Sequence, residues 1–427
     1  MKAVLDIVAR HRAGEAVGLY SVCSAHPLAI EAALRHARDR AGVALVEATS
    51  NQVNQDGGYT GLRPADFRDR VLDIAAGVGL AAGRVVLGGD HLGPNCWQTL
   101  PAAEAMARSR VMVADYVSAG FRKIHLDCSM RCADDAEVLG DDLIAARSAD
   151  LCVQAEAAWR NAGGEPPVYV IGSEVPVPGG AHEALDQLAA TAPAAALATV
   201  AAHRSAFARS GLQPAWNRVI GLVVQPGVEF DHDHVVDYLP AKASSLSACI
   251  DSLPNLVFEA HSTDYQLPEA LASLVRDHYA ILKVGPAVTF ALREALFAID
   301  DIVRELDGGD ATGGIRETAL GAMQADPSHW RRYYHATGHA LRLQQQYSLS
   351  DRIRYYWPSP SVAAAVQRIS SRFDAARPPL ALVSQFLPGA VGAIRAGAVR
   401  LEARELVIHH IRAVLAHYSS ACTPLKA

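Results

Sequence analysis

The sequence predicts an α/β protein with a (β/α)8 TIM barrel followed by a C-terminal helical extension. Eight short apolar runs each end in a polar or Gly-Pro cluster, and between them apolar residues recur at three- and four-residue spacing. Continuous apolar runs are typical of strands buried on both faces of a parallel sheet. A strand followed by a helix, eight times over, predicts a closed barrel; a doubly wound open sheet is the main alternative. No GxGxxG or GxxxxGKS/T pattern opens any of these helices, which favours the barrel.

The predicted elements follow one another in a regular order. The strands are expected at 18–25, 43–50, 84–91, 123–129, 168–175, 219–227, 256–262 and 280–286. Helical spacing is clearest at 26–40, 101–120 and 285–303, and the first 18 residues have the pattern of an amphipathic helix. After about residue 305 the alternation stops at LDGGDATGG. We therefore predict a barrel over residues 1–305 and a helical extension over 306–427, packed on the barrel or on a neighbouring subunit.

Composition excludes several classes of partner. The chain has 427 residues with 39 basic and 45 acidic side chains, a net charge of −6, and no basic stripe interleaved with aromatics. This predicts no nucleic-acid partner. No apolar run reaches the roughly 18 residues of a membrane span, and no signal peptide is apparent, so we predict a cytoplasmic protein without a membrane partner. The seven cysteines form no CxxC pair and are predicted to be buried or half-buried thiols.

Ionisable side chains gather where the predicted strands end. In TIM barrels the active site is built at the C-terminal ends of the strands. Burying an unpaired charge costs several kcal/mol, so a purely structural rim would carry few such groups. The concentration here predicts a pocket for a small polar molecule. The residues predicted to bind it are Glu47, Asn51, Asn95, His125, Gln225, Ser262, Thr263, Asp264, Lys283 and Gly285.

A divalent metal, zinc or similar, is a second prediction of the barrel. His91, Glu174 and His261 belong to strands three, five and seven and are expected to converge across the mouth. Imidazole and carboxylate groups favour zinc or a similar ion. No local HxH or HExxH cassette supports the site, so this prediction depends on the fold. A lone histidine such as His125 has the alternative of bonding a backbone carbonyl.

The last barrel strand offers a lysine and a helix start. Lys283 is interpreted as a counter-ion, as a substrate contact or as a Schiff-base lysine, since burial lowers a lysine pKa. Gly285 and Pro286 open the following helix, whose free N–H groups are expected to bind phosphate together with the hydroxyls of Ser262 and Thr263. The alternative is that Gly-Pro only begins a helix.

Six motifs in order resemble one known family. They are KIHLDCS, YVIGSEVPVPGG, VVQPGVEFDH, FEAHSTDYQ, ILKVGPAVTFALREALF and SDRIRYYW, and they extend over about residues 18–390. Together they resemble the Z-type subunits of class II tagatose-1,6-bisphosphate aldolase, the GatZ/KbaZ family. The family is described as the non-catalytic partner of a separate aldolase subunit. Some members are labelled tagatose-6-phosphate kinases, but this sequence has neither a P-loop nor the glycine-rich anion hole of sugar kinases.

The family is distantly similar to the catalytic class II aldolases, which are zinc-dependent TIM barrels. Asp90-His91 matches in type and place the Asp-His pair that follows their third strand, and Glu174 and His261 take two further positions. The resemblance fails at strand six, where a ligand histidine is replaced by Gln225-Pro226-Gly227. A lost ligand fits either a stabilising subunit or a site with different chemistry.

Two functions follow from the resemblance. The first is an accessory subunit in galactitol, N-acetylgalactosamine or tagatose catabolism that retains a sugar-phosphate site. The alternative is a stand-alone metal-dependent 4-epimerase of tagatose and fructose 6-phosphates, acting by retro-aldol cleavage and re-addition. Asp90 is then the predicted acid/base, with Asp127 or Glu229 as second candidate, and Arg352 and Arg354 are able to reach a phosphate. Expected partners are a phosphorylated ketose and, for the first function, a catalytic aldolase subunit; a homo-oligomer is left open.

Overall fold

Eight parallel strands close into a barrel, which confirms the predicted fold class. The computed structural model describes residues 1–172, 188–309 and 313–423. Around the barrel the strand order is β1-β2-β3-β4-β5-β6-β9-β10, and β1 pairs with both β2 and β10, so the sheet has no open edge. The barrel strands are Leu19–Val22 (β1), Ala44–Thr49 (β2), Val85–Leu92 (β3), Lys123–Leu126 (β4), Val168–Ile171 (β5), Val219–Val223 (β6), Val257–Ala260 (β9) and Ile281–Val284 (β10). A short antiparallel hairpin, Glu229–Phe230 (β7) with Val235–Val236 (β8), follows β6.

Helices surround the barrel and form the extension. Many begin with proline, whose fixed φ suits the first helical position and whose missing N–H costs nothing there. The helices are Lys2–Arg12 (α1), Pro27–Asp39 (α2), Pro64–Gly77 (α3), Ala102–Ser118 (α4), Asp141–Ala162 (α5), Pro193–Arg209 (α6), Gln213–Trp216 (α7), Pro240–Cys249 (α8), Pro268–Arg276 (α9), Pro286–Leu306 (α10), Ile315–Ala325 (α11), Gly338–Tyr347 (α12), Pro360–Ala376 (α13), Leu380–Phe386 (α14), Pro388–Arg395 (α15) and Ala403–Cys422 (α16). Among the described residues no helix combines the length and apolar character needed to cross a bilayer.

The first helix covers the end of the barrel where the strands begin. Val4 and Val8 of α1 pack in one apolar cluster with the first residues of the strands, including Leu19, Leu45 and Val86. This confirms the predicted amphipathic start. Because that end is filled with apolar side chains, the opposite end is where a polar cavity can form.

The last helix, α16, completes the ring of helices around the barrel. It packs against α2, α9 and α10, between the helices that follow the first and seventh barrel strands. The Tyr418 hydroxyl donates to the carbonyl oxygen of Thr263 at 2.6 Å, and the Gly18 amide donates to the carbonyl of Cys422 at 3.0 Å. Apolar residues of the extension and of the barrel lie in one continuous core.

Seven of the eight predicted strands end one to four residues before their predicted bounds, and the third extends one residue further. The sixth stops at Val223, because the side-chain oxygen of Gln225 accepts the amides of Gly227 at 2.8 Å and Val228 at 2.9 Å and turns the chain. The fourth stops at Leu126. All seven cysteines are free and none is exposed, as predicted.

We expect the core contributed by α16 to be essential to barrel stability. Leu415 is fully buried in α16, so Leu415→Ala is expected to lower the free energy of unfolding by about 2–5 kcal/mol. Urea denaturation followed by circular dichroism measures this change. Leu343→Ala in α12, where the leucine is exposed, is the matched control and is expected to change little. Unchanged barrel unfolding in Leu415→Ala would show that α16 is not part of the barrel core.

Candidate active site

A cavity lined mostly by polar side chains opens at the C-terminal ends of the barrel strands. Its walls combine strand-end residues with two side chains from the extension. Of the residues predicted from the sequence, the structure brings eight to this cavity: Asn51, Asp90, His91, His261, Ser262, Asp264, Lys283 and Gly285. The other lining residues are Cys23, Thr49, Gln52, Tyr59, Phe230, Pro286, Arg354 and Tyr355.

Beneath the cavity, two lysines and three carboxylates form a buried ion network. The Nζ of Lys123 lies 2.8 Å from Glu47 Oε1 and 2.6 Å from Glu259 Oε2. The Nζ of Lys283 contacts Glu47 Oε2, and lies 3.0 Å from Asp90 Oδ1 and 3.7 Å from Glu259 Oε1. Each carboxylate thus faces an ammonium group, which offsets the cost of taking these charges out of water.

The network sets the charge of Lys283. Burial alone would lower the pKa of Lys283, but the attraction of Asp90, Glu47 and Glu259 outweighs burial and raises the pKa well above its usual range. Schiff-base chemistry needs a neutral amine. The Schiff-base interpretation of Lys283 is therefore not supported, because the expectation of a lowered pKa omitted the carboxylates; the counter-ion interpretation fits.

Asp90 is the carboxylate that connects the network to the cavity. Its Oδ1 lies 3.0 Å from Nδ1 of His125 as well as 3.0 Å from the Lys283 ammonium. Burial would raise the pKa of Asp90, but Lys283, His91 and the hydrogen bond from His125 outweigh it and keep the pKa well below its usual range. Asp90 is therefore ionised and fixed in orientation.

A second acid–imidazole pair lies beside Asp90. His91 Nδ1 donates to Asp127 Oδ2 at 2.8 Å, and Asp127 Oδ1 accepts the amide of Ser129 at 3.0 Å. The His91 backbone has a positive φ of 49°, a costly conformation for a residue with a Cβ. With Nδ1 held by Asp127, the His91 Nε2 lies 3.7 Å from Asp90 Oδ2.

Three imidazoles gather around the same point. The ring centroids of His91, His125 and His261 are 4.9–5.3 Å apart in pairs. Atoms able to bind a metal ion lie within 4.8 Å of one another in Asp90, His125, Glu259 and His261. The His125 Nε2 is buried and has no hydrogen-bond partner among the described residues, as a ligand nitrogen would. Two imidazoles with carboxylates suit zinc or a similar divalent ion.

This grouping differs from the predicted ligand set of His91, Glu174 and His261. Among the described residues the grouping includes His261 and not His91, whose Nδ1 bonds Asp127. Glu174 lies outside the described residues. Burial lowers the pKa of His261 to about 4, so the imidazole is neutral at pH 7, the form in which histidine binds metals.

Several predicted substrate contacts have local partners instead. Gln225 holds its own turn, and the hydroxyl of Thr263 donates to the carbonyl of Lys283 at 2.6 Å. Asn95 accepts from Gln98 at 2.5 Å, outside the cavity lining. Glu229 accepts the amide of Phe230 at 3.0 Å and is likewise not a lining residue.

The predicted phosphate site at the start of α10 is filled by a side chain of the protein. Asp264 Oδ1 accepts the amides of Gly285 at 2.9 Å and Ala287 at 2.8 Å. These are the free N–H groups that the sequence assigned to a phosphate. A carboxylate at a helix N-terminus satisfies the same donors and the same dipole as a phosphate would. A phosphate in this cavity must therefore be bound elsewhere.

The sequence prediction missed parts of the site. Lys123 was overlooked because it begins its strand, although it shares one face with His125 and Asp127 in period-two alternation. Tyr59 belongs to a 3₁₀ turn after β2, which leaves no sequence signal. Tyr355 comes from the extension, far from the barrel strands in sequence.

A (β/α)8 barrel with ionisable groups gathered at its mouth defines the class, a TIM-barrel protein with an enzyme-type site. A sequence match over nearly the whole chain identifies the family within that class. The chain belongs to the D-tagatose-1,6-bisphosphate aldolase subunit GatZ/KbaZ-like family, whose pattern matches residues 4–423.

One solved structure agrees with this assignment, and two others are more distantly similar. A probable tagatose 6 phosphate kinase from Sinorhizobium meliloti 1021 is 47% identical, with a TM-score of 0.88 over 95% of this chain and 100% of that chain. A fructose-bisphosphate aldolase from Campylobacter jejuni is 13% identical, with a TM-score of 0.43 over 87% and 92% of the two chains. A fructuronate-tagaturonate epimerase from Cohnella laeviribosi is 13% identical, with a TM-score of 0.48 over 95% and 82%. The two weaker likenesses concern the fold alone.

Removing one lysine of the network is expected to destabilise the barrel. Lys123→Met leaves Glu47 and Glu259 with one shared ammonium group, that of Lys283, instead of two, and is expected to cost about 3–5 kcal/mol in urea denaturation. The double variant Lys123→Met/Glu259→Gln is expected to lose less, since one uncompensated charge is removed. Arg10→Met, which breaks an exposed pair with Glu15, is the control and is expected to change little. Full stability of Lys123→Met would contradict the proposed charge balance.

Stability should depend on pH through Glu229. Burial raises its pKa from 4.5 to about 7, with Asp264 adding to the rise and the Phe230 amide and Ser262 opposing it. A raised pKa means that the stability from this group is present below pH 4.5 and is lost as the pH rises through 7. Between pH 5 and pH 8, the free energy of unfolding of Glu229→Gln is expected to rise by about 3 kcal/mol relative to that of the parent protein.

Denaturation at several pH values measures this difference. Glu137→Gln, at an exposed glutamate, is the control and should show a difference that does not vary with pH. A pH-independent difference for Glu229→Gln as well would mean that Glu229 is ionised throughout the range.

Proposed function

We propose that this chain binds a phosphorylated ketose in its cavity and interconverts the C4 epimers, tagatose 6-phosphate and fructose 6-phosphate. The observation that carries the proposal is the ionised Asp90 facing the cavity beside the protonated Lys283. Burial of charges is costly, and a purely accessory role does not require buried charges that face an open cavity. Acid–base chemistry on a polar substrate does require them.

The chemistry needs no external oxidant or reductant. A base removes the proton of the C4 hydroxyl, the C3–C4 bond breaks, and its electron pair moves to the C2 carbonyl, giving an enolate and an aldehyde. The aldehyde turns, and the enolate attacks its other face. The bond forms again, and the proton returns to the C4 oxygen of the epimer.

The side chains around the cavity have distinct roles in this scheme. Asp90 accepts the hydroxyl proton, and Lys283 stabilises the negative charge that develops on the enolate oxygen. The imidazole of His91, held by Asp127, lies close enough to Asp90 to share that proton through the substrate or a water. The proton thus stays inside the cavity until the bond forms again.

A divalent ion fits this proposal at residues of the barrel. His125, Glu259 and His261 would hold it, which leaves Asp90 to face the substrate. Such an ion, when bound, supplies a Lewis acid for substrate oxygens. Glu259 also pairs with Lys123 and lies near Lys283, so it positions the ammonium groups with or without the ion.

The test offers the purified chain fructose 6-phosphate and tagatose 6-phosphate, with zinc or manganese and with chelator. Interconversion is expected, and Asp90→Asn is expected to lower kcat by about 10²–10⁴-fold, the usual contribution of a general acid–base. Asp69→Asn, at an exposed aspartate of α3, is the control. In D₂O the C4 hydrogen should be retained, because the retro-aldol route breaks no C4–H bond. Deuterium at C4 or consumption of ATP would contradict the proposal.

The second candidate is the accessory role, favoured by the family's description as an aldolase subunit. In that case a catalytic aldolase subunit is the partner, and the cavity serves as a retained sugar-phosphate site. Co-expression with such a subunit separates the two. No ketose interconversion, together with increased cleavage of tagatose 1,6-bisphosphate by the partner, would replace the epimerase by the accessory subunit.

A further inference from the structure

We infer that Arg354, which reaches the barrel mouth from the C-terminal extension, binds the phosphate group of the substrate. The inference rests on the proposed function, since it assigns a substrate group to the same cavity. Arg354 belongs to the 3₁₀ helix Arg352–Tyr356 and lines the cavity together with Asp90 and Lys283. One cavity thus contains the reacting groups and a cation from a distant part of the chain.

The guanidinium of Arg354 is fixed in place without a carboxylate. Its Nη1 donates to the carbonyl oxygens of Ser350 and Asp351, and its Nη2 donates to the Tyr355 hydroxyl at 3.2 Å. Among the described residues no carboxylate oxygen lies within ion-pair distance of Arg354. By contrast, Lys283 in the same cavity is paired with carboxylates.

The free edge of the guanidinium has the geometry of a phosphate-binding group. A guanidinium has five N–H donors, and the contacts named above use three of them in Arg354. Nε and one N–H of Nη2 are left without a partner among the described residues. Guanidinium donors that no protein group satisfies are suited to phosphate oxygens.

A second uncompensated guanidinium lies behind the first. Arg352 is only 3% exposed, and its Nε and Nη2 have no hydrogen-bond partner among the described residues. Its guanidinium carbon is 3.2 Å from the ring centroid of Tyr333, and its Nη1 is 3.5 Å from the Tyr355 hydroxyl. The neighbouring Asp351 pairs with Arg293 Nε at 3.0 Å and accepts from Thr289 at 2.7 Å, so it attracts Arg354 without an ion-pair contact. One positive charge at the cavity wall, with a second arginine two residues away in the same 3₁₀ helix, favours an anionic group of the substrate.

The usual phosphate site of the barrel is closed to a ligand, which strengthens the case for Arg354. Asp264 already takes the amides of Gly285 and Ala287 at the start of α10. A phosphate placed there would meet a carboxylate. Among the cations that line the cavity in the described chain, Arg354 is the one without a carboxylate partner.

The experiment compares phosphorylated and unphosphorylated ketoses. Arg354→Gln is expected to raise KM for fructose 6-phosphate about 10–100-fold with kcat changed less than about threefold, as for loss of a charge-assisted contact made equally in ground and transition states. Any turnover of free fructose should be unchanged. Arg354→Lys should restore part of the affinity. Arg331→Gln, at an exposed arginine in the same extension, is the control.

Calorimetric binding of fructose 6-phosphate and of inorganic phosphate makes the test independent of turnover. If the chain binds fructose 6-phosphate without converting it, and Arg354→Gln weakens binding, the inference stands and the epimerase proposal fails. If the parent chain converts the sugar phosphate and Arg354→Gln, folded by circular dichroism, has an unchanged KM, the inference fails alone. Absence of binding by the parent chain overturns both.

Discussion

Two ammonium groups buried inside the barrel determine how the site is arranged. Lys123 and Lys283 share Glu47 and Glu259, and Lys283 extends the network to Asp90. Because each charge depends on its neighbours for compensation, no side chain of the network can turn without leaving another charge unpaired. Asp90 and Lys283 consequently meet the cavity in one orientation. Such preorganisation is what an active site needs, since it avoids the cost of reorienting charges during the reaction.

The parts of the site that the sequence could predict are those governed by the barrel's geometry. Asp90, His91 and Lys283 lie in the last residues of their strands and His261 directly follows one, and the C-terminal ends of parallel strands meet at one mouth. What escaped prediction depends on contacts between distant segments. Whether the pKa of Lys283 is raised or lowered depends on carboxylates that come from other strands. Lys123, at the start of β4, joins the site only because its side chain and those of Glu47 and Glu259 point into the same layer of the barrel interior.

The start of α10 shows how local capping overrides a fold-level expectation. Helix N-termini at the last barrel strands commonly hold phosphate, but the donors accept any anion. Here the carboxylate of Asp264, which follows the neighbouring strand β9, is that anion, and it stabilises the helix start without a ligand. The proposed anion contact comes instead from the extension, which is anchored to the barrel by α16 and by the pairing of Asp351 with Arg293 of α10.

Aldol cleavage and C4 epimerisation share their bond-breaking step, and they differ in what happens to the aldehyde. An aldolase releases it, whereas an epimerase must retain it while it turns and must then form the bond again. For a ketose 6-phosphate the aldehyde fragment carries the phosphate, so the proposed phosphate contact at Arg354 would bind the substrate and the aldehyde fragment alike. Tyr59 and Tyr355, whose rings lie 4.5 Å apart at the cavity wall, narrow the space around it. A member of an aldolase-subunit family would thus become an epimerase through retention of the aldehyde fragment, with the carbon–carbon chemistry left unchanged.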